Sequence, residues 1–281
     1  MKKEQQVTIL LALLFAYFLY RWSFNIYSML LGDDFSFPSL HFVLYLIILV
    51  IGTMSLIKYY VSQFKHSQLL RLYLIYLFFS SLLGIIPQVG RLMMEDKTAD
   101  DLIRLIMEIV ELGISFYALT IITAQRTPKV VESQKEDGTL TRHYVPASKA
   151  QRFLNRLFDV ILLILIIYSS YQWWAYVFGS YFGSWGYGVS EVLVIVIEYF
   201  MFVVYYIVAE HFFHTTFGKT ITNTTVINVR GGYPSFTSTL GRSFCRLIPF
   251  DSFSFLFREQ GGWHDQFSGT GVVGEKYVSE K

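Results

Sequence analysis

Apolar and polar residues are segregated into long blocks along this chain. Six blocks stay apolar for about twenty residues, the length a helix needs to cross the hydrocarbon core of a bilayer. They are Thr8–Leu31, His41–Tyr60, Leu69–Gln88, Leu102–Ala124, Phe153–Phe178 and Val189–Glu210. Arg21 interrupts the first; either it snorkels to the outer surface or the helix ends near Tyr20. Lys2 and Lys3 precede that block as they would in a signal peptide, but Ala16-Tyr-Phe-Leu-Tyr-Arg-Trp22 offers no small-residue cleavage site. The first span is therefore expected to be retained. The pattern predicts an all-α fold, a polytopic transmembrane helical bundle of about six spans.

The polar blocks divide this bundle. Gln125–Ala150 contains Pro128, Pro146 and Asp137-Gly138 and reads as a cytoplasmic linker. A small hairpin is expected there, with Lys129-Val-Val-Glu before the Asp-Gly turn and Thr139-Leu-Thr-Arg-His-Tyr after it. The chain thus splits into an N-terminal four-span region (1–124), the linker (125–150) and a C-terminal membrane domain (151–275). After the sixth block, Thr225-Val-Ile-Asn-Val-Arg-Gly-Gly predicts a strand ending in a turn. Phe236–Phe257 is half apolar but holds Arg242, Arg246, Pro249 and Asp251. It predicts an interfacial or re-entrant helical hairpin at the cytoplasmic surface. No internal repeat is visible, so an inverted-repeat transporter is not supported.

Charge sets the orientation. Lys2 and Lys3, the Lys58–Arg71 turn, and the linker with Arg126, Lys129, Lys135, Arg142 and Lys149 are basic, whereas the loops after the first and fifth spans carry no basic residue. The positive-inside rule then puts both termini in the cytoplasm of a cell (inner or plasma) membrane protein. The turn with Arg91, Lys97 and Arg104 breaks the alternation, in company with Glu95, Asp96, Asp100 and Asp101. Composition agrees with a membrane protein: 53% of residues are hydrophobic, 18% aromatic and 16% charged, against about 25% charged in soluble domains. A net charge of +2 argues against nucleic-acid binding. The single cysteine, Cys245, excludes an intrachain disulfide, and no zinc spacing occurs.

The candidate chemistry lies in charges inside the apolar blocks. Arg152 and Asp159 are seven residues apart, about two helical turns, and share one face at the entrance of the fifth span. A carboxylate in hydrocarbon costs about 3 kcal/mol and needs a partner, a proton, a wet cavity or a function. Asp159 is thus a proton or cation site, or half of an ion pair. Glu191 and Glu198 repeat the spacing on the sixth span, with Glu198 near the membrane middle. Glu198 reads as a second proton or cation site, or as a protonated acid bonded to a neighbouring helix. Glu108 and Glu111 share a face of the fourth span a turn beyond Arg104, as a local ion pair or as part of the same polar interior as Glu198. Glu210, beside His211 and His214, reads as a surface group facing the cytoplasmic motifs. His264-Asp265, with Asp251, matches no metal motif and has no nucleophile beside it. Asp265 is expected to accept hydrogen bonds from Arg152 or Arg246 and so pin the tail. Gly218-Lys219-Thr220 lacks the upstream glycine of a phosphate-binding loop. Trp173, Trp174 and Trp185 read as interface anchors.

Several ordered motifs in the C-terminal half resemble the RDD family of membrane proteins, named for one arginine and two aspartates. They are Arg152-Phe-Leu-Asn-Arg-Leu-Phe-Asp159, Thr216-Phe-Gly-Lys219 with Val226-Ile-Asn-Val, Arg242-Ser-Phe-Cys-Arg-Leu-Ile-Pro249, and Trp263-His-Asp265-Gln-Phe-Ser-Gly-Thr270-Gly-Val-Val. The resemblance covers roughly Ala150 to Val273 and maps the family's arginine to Arg152 and its aspartates to Asp159 and Asp265. Arg156 competes for the arginine role with a poorer spacing to Asp159. Asn155 stands where the family often has a small residue. The family has no settled common activity; transport is suspected, and cation/proton exchange is credited to some members.

The resulting expectation is transport of small solutes or cations, coupled or not to protons, with Asp159 and Glu198 as ion or proton sites and Arg152, Asp265, Arg246, Glu191, Glu108 and Glu111 in supporting or structural roles. The rival is a non-catalytic membrane scaffold whose charges only fasten helices together. An enzyme, a cofactor and a metal are not expected. The expected partners are the lipid bilayer, a small cation or proton, and a second copy or another membrane protein.

Overall fold

A computed structural model describes residues 9, 12–17, 19–20, 23, 40–62, 67–93, 98–134, 140–182, 187–229, 232–248, 251–254 and 261–277, and their side chains except those of 40–46, 87, 100, 131–143, 168–191, 193–195, 197–198, 252–253 and 276–277. The apolar blocks appear as helices α1 (Leu40–Val61), α2 (Gln68–Leu92), α3 (Ala99–Thr123), α4 (Lys149–Phe182) and α5 (Tyr187–Phe212). Most of the first expected span lies outside the described residues; helix is present over 12–17. Among the described residues, Gln68–Leu92 and Asp101–Thr123 are long and apolar enough to cross a membrane. Glu191, Trp173, Trp174 and Trp185 fall outside the described side chains, as does Glu198, whose backbone lies within α5.

Helix α3 shows which solvent these helices are built for. It starts cleanly because Thr98 is its N-cap and Asp101 Oδ2 accepts from the Thr98 backbone N–H at 2.9 Å. Its apolar residues Leu102, Ile103, Ile106, Ile109 and Val110 are about half exposed, while Glu111 and Ser115 are buried. Water would reverse that arrangement, because exposed apolar stripes of this length are rare on soluble monomers. Val50, Ile51, Met54 and Ile57 on α1, and Leu157, Ile161, Ile164 and Leu165 on α4, are likewise exposed. Lipid tails are the surroundings that make such faces stable.

The core lies where the N-terminal helices meet the C-terminal half. Leu70, Leu74 and Ile75 of α2, Ala118, Leu119 and Ile122 of α3, and Tyr205, Ala209 and Phe213 at the end of α5 form one buried cluster. Aromatic rings join the halves: Phe78 meets Phe213 edge-on at 5.3 Å between centroids, and Phe79 lies 4.6 Å from Tyr205.

Past α5 the chain folds into short elements at one end of the bundle. They are α6 (Phe217–Thr222), β4 (Thr224–Asn228), α7 (Phe236–Cys245), α8 (Asp251–Ser254), α9 (Trp263–Ser268) and β5 (Thr270–Tyr277). The linker supplies β1 (Arg126–Pro128), β2 (Val130–Gln134) and β3 (Leu140–Tyr144). Strands β2 and β3 pair antiparallel, Val130 opposite Tyr144 and Gln134 opposite Leu140, which is the hairpin the Asp-Gly turn implied; the turn itself lies outside the described residues. A second sheet runs β1-β5-β4 with antiparallel pairing, so the stretch read as a linker is built into the fold. Gly269 makes this possible: at φ +62° it ends α9 and turns the chain into β5.

The last strand and helix α7 show how the tail is held. Glu275 lies on the central strand β5 and receives Arg71 Nη1 at 2.5 Å, with the Arg71 side chain fully buried. Arg71 looked like a loop charge because the strand it pairs with is more than two hundred residues away. Helix α7 is ten residues long, about 15 Å, too short to cross a bilayer. It buries Thr239, Arg242 and Ser243 and exposes Phe236 and Phe244, with Leu247 and Ile248 exposed just beyond it.

Candidate functional site

Two separate arrangements hold the family motifs together. The first centres on Asp159, which is 1% exposed. Its Oδ1 accepts from the Tyr205 hydroxyl and from the Gly218 backbone N–H, both at 2.7 Å, and its Oδ2 accepts from the Thr216 hydroxyl at 2.8 Å. All three donors are neutral. Arg152 points elsewhere, so the two charges that share a helix face do not meet. Thr216 is also the N-cap of α6, its hydroxyl accepting from Lys219 N. Asp159 therefore docks the Thr216-Phe-Gly-Lys219 turn onto α4. Asn155, one turn earlier, completes the seam by bonding to Thr222 and Thr224.

Gly218 is required by that docking. A Cβ on it would lie 2.0 Å from the Asn155 carbonyl oxygen, which is backbone and cannot step aside. Gly218→Ala should lower stability by about 3 kcal/mol, the upper end for overpacking, through separation of α6 from α4. Gly241 sits in α7 with open space around its would-be Cβ. Gly241→Ala should melt at or slightly above the parent temperature, because alanine suits a helix interior better. Thermal melts of the two variants check this; similar melting of both removes the close-approach argument.

The second arrangement is a continuous ion network. Asp265 Oδ2 receives Arg152 Nη1 at 2.5 Å, and its Oδ1 receives Arg242 Nη1. Arg242 Nε lies 3.0 Å from Glu210 Oε2. Glu210 Oε1 receives Lys219 Nζ at 2.7 Å and Arg246 Nη2 at 2.5 Å. Four cations and two carboxylates thus link α4, α9, α7, α5 and α6 in one chain of contacts. The sequence expectation offered Arg152 or Arg246 to Asp265. The structure places Arg152 and Arg242 there and gives Arg246 to Glu210. Glu210, expected at the surface, is fully buried. At the end of an apolar block its surroundings could not be read locally, since its three partners come from other elements. The four-residue spacing of Arg242 and Arg246 was the available signal, because it sets both on one helix face.

Burial and charge shape the ionisation of this end. Burial alone would raise the Asp265 carboxyl, but Arg242, His264 and Arg152 outweigh it and hold it well below the usual carboxylate range. Asp251 accepts from the His264 backbone N–H at 3.0 Å and pairs with Nδ1 of its ring at 2.7 Å. Burial and then Arg242 push the His264 imidazole below its ordinary value, against the pull of Asp265 and Asp251. Burial lowers Lys219 as well, with Glu210 opposing. Among the described residues, no three of His, Cys, Asp and Glu converge as a metal site.

Between the two arrangements lies a partly open cavity. Arg152, Arg156, Lys219, Arg242 and Arg246 line it, together with Asp159, Asp251, His264 and Tyr206. Arg156 donates to the Tyr206 hydroxyl at 3.0 Å and lies 4.6 Å above the Phe202 ring. Arg246 lies 3.9 Å from the centroid of the Tyr206 ring. Glu111 is elsewhere, buried in α3 and accepting from Tyr17. The carboxylate of Glu108 packs beside Gly84 of α2. Neither lines this cavity.

A mostly helical bundle with exposed apolar faces, closed at one end by a small sheet and a network built from ordered Arg, Asp, Thr-Phe-Gly-Lys and Trp-His-Asp motifs, defines a membrane-type fold. Residues 146–268 match the family model described as RDD family, so the C-terminal half carries an RDD region. That family is one of membrane proteins, consistent with the two apolar helices long enough to span a bilayer. Neither a curated protein nor a solved structure matches the chain.

Proposed function

We propose that this protein is a six-span transporter of small solutes in the cell membrane, with both termini in the cytoplasm and the RDD region carrying the solute site. The observation that carries this reading is the open, charge-lined cavity at the end of α4 and α5, bounded by the family's own motif residues. A purely structural network has no need of a vestibule. Coupling to protons would run through Asp159, whose carboxyl oxygens accept from three donors on α5, α6 and the α5–α6 connection. These bonds hold α6, which supplies Lys219 to one wall of the cavity, against α4. Glu198 would serve as a second acid deeper in the span. No catalytic role or cofactor is proposed, and a second copy or another membrane protein is a suitable partner.

The test is flux in sealed vesicles. Collapse of an imposed proton gradient on adding a cation or solute is expected for the wild type, and Asp159→Asn should cut the rate at least about ten-fold, as loss of a charge-assisted bond network implies. Cysteines at Ser133 and Ser184 in a Cys245→Ser background should label from opposite sides. The scaffold reading also has support, because the carboxylates of Asp159, Glu210 and Asp265 all bond to neighbouring elements. Inert vesicles, with the protein co-purifying stoichiometrically with a partner, decide for the scaffold.

A further inference from the structure

The cavity has more donor capacity than its own acids consume. Five cations line it, Arg152, Arg156, Lys219, Arg242 and Arg246. Four carboxylates lie in or against it, and each is already engaged: Asp265 and Glu210 by the ion network, Asp251 by His264, Asp159 by three neutral donors. Two arginines are left with spare capacity. Arg246 is buried, and its Nη1 has no hydrogen-bond partner among the described residues. This is unlike the other unbonded atoms nearby, Arg242 Nε and Glu210 Oε2, which face each other at 3.0 Å. Arg156 has no carboxylate partner among the described residues and spends one donor on the Tyr206 hydroxyl, out of the five a guanidinium carries.

The two guanidinium groups also crowd the same ring. Arg246 Cζ lies 3.9 Å and Arg156 Cζ 5.4 Å from the Tyr206 centroid. Arg246 reaches the ring from the end of α7 with its Nη2 on Glu210, and Arg156 reaches it from α4 with no carboxylate partner among the described residues, so one positive charge here is left for an anion to balance. The acceptor must serve two forks from different directions, which suits the several oxygens of a tetrahedral oxyanion.

The geometry points to a binding site for a phosphate-class oxyanion in this cavity, held by Arg246 and Arg156 across Tyr206. It names the ligand class of the site proposed above and rests on that reading for its role, though not for its chemistry. A phosphate here has two sources. It is a free solute, or it is the headgroup of a membrane lipid, for which the exposed Phe244, Leu247 and Ile248, next to Arg246 in the chain, provide an apolar surface.

The experiment uses the purified full-length chain in detergent. Melting temperature is followed by intrinsic fluorescence against inorganic phosphate, with chloride at matched ionic strength as control. A parallel arm compares vesicles of phosphatidylcholine with vesicles containing phosphatidylglycerol. Phosphate is expected to raise the melting temperature saturably where chloride does not. Arg156→Gln strands no carboxylate, so it should fold, and it should need at least about ten-fold more phosphate for the same shift, the loss expected of one charge-assisted contact. Arg246→Lys keeps a charge on Glu210 while losing the fork, and should also weaken the response. A phosphatidylglycerol-specific shift, absent with free phosphate and lost in Arg156→Gln, keeps the anion site and assigns it to a lipid headgroup. No anion-specific shift in either arm, or equal shifts in wild type and both variants, overturns the proposal. Phosphate binding without flux removes the transport reading alone, whereas flux without anion binding removes the ligand assignment alone.

Discussion

Asp265→Asn is expected to destabilise the protein by about 3–5 kcal/mol, the cost of removing one member of a buried ion pair. The side chain is 1% exposed and takes one arginine on each oxygen, Arg152 from α4 and Arg242 from α7. Its Oδ2 also accepts from the Gly262 N–H at 3.3 Å, which closes the first turn of α9. Asparagine keeps the shape and one acceptor but leaves two buried guanidinium groups facing an amide. Phe267→Tyr, on the exposed side of the same helix, should stay within about 0.5 kcal/mol of the parent, as exposed substitutions do. Melting of the two variants at similar temperatures would remove the argument. The pH dependence follows from the depressed Asp265 ionisation. A carboxyl held below its unfolded value of about 4 adds stability that is complete above that pH and is lost as pH falls through the lower folded value. The gap between Asp265→Asn and wild type should therefore be constant from neutral pH down to about 4 and should narrow only in stronger acid.

The sequence revealed elements better than it revealed partners. Apolar block length located the helices that became α2 and α3, and Asp137-Gly138 between β-prone runs located the β2–β3 hairpin, because both signals are local. Strand β4 was also visible, in Val226-Ile-Asn-Val. Strand β5 was not, since Thr270–Tyr277 reads as the trailing end of a motif until its neighbours β1 and β4 arrive from about 140 and 40 residues away. Glu275 shared that fate. The need of Asp265 for an arginine was readable from its charge and its apolar surroundings, but not the choice of partner, because Arg242 and Arg246 lie one helical turn apart and both face inward. Asp159 is the sharpest case. Its spacing from Arg152 is the most informative feature of the chain, yet its oxygens go to a tyrosine, a threonine and a backbone N–H. Neutral donors leave no charge pattern for a sequence to display.

The largest effect is expected at Glu210. One fully buried carboxylate there faces three cations, Lys219, Arg246 and Arg242, on two other elements. Glu210→Gln should cost at least about 3–5 kcal/mol, since it strands several charges where the usual pair strands one. The cations differ in what they can do next. Arginine does not deprotonate in proteins, whereas a buried lysine sheds its proton readily. Burial already lowers Lys219 and Glu210 is the main force opposing it. Loss of Glu210 should therefore lower Lys219 further and weaken its hold on the charge. That gives a compensating variant: Lys219→Met alone should destabilise, because it removes one of the bonds to Glu210. In the Glu210→Gln background the same change should cost little, with a coupling of about 1 kcal/mol or more in a double-mutant cycle. Additive melting shifts would mean that Lys219 and Glu210 act independently, and the network would then be a set of separate contacts. A Glu210→Gln protein that melts with the wild type would show that the charges at this end of the bundle are solvated and do not hold the tail elements to α5.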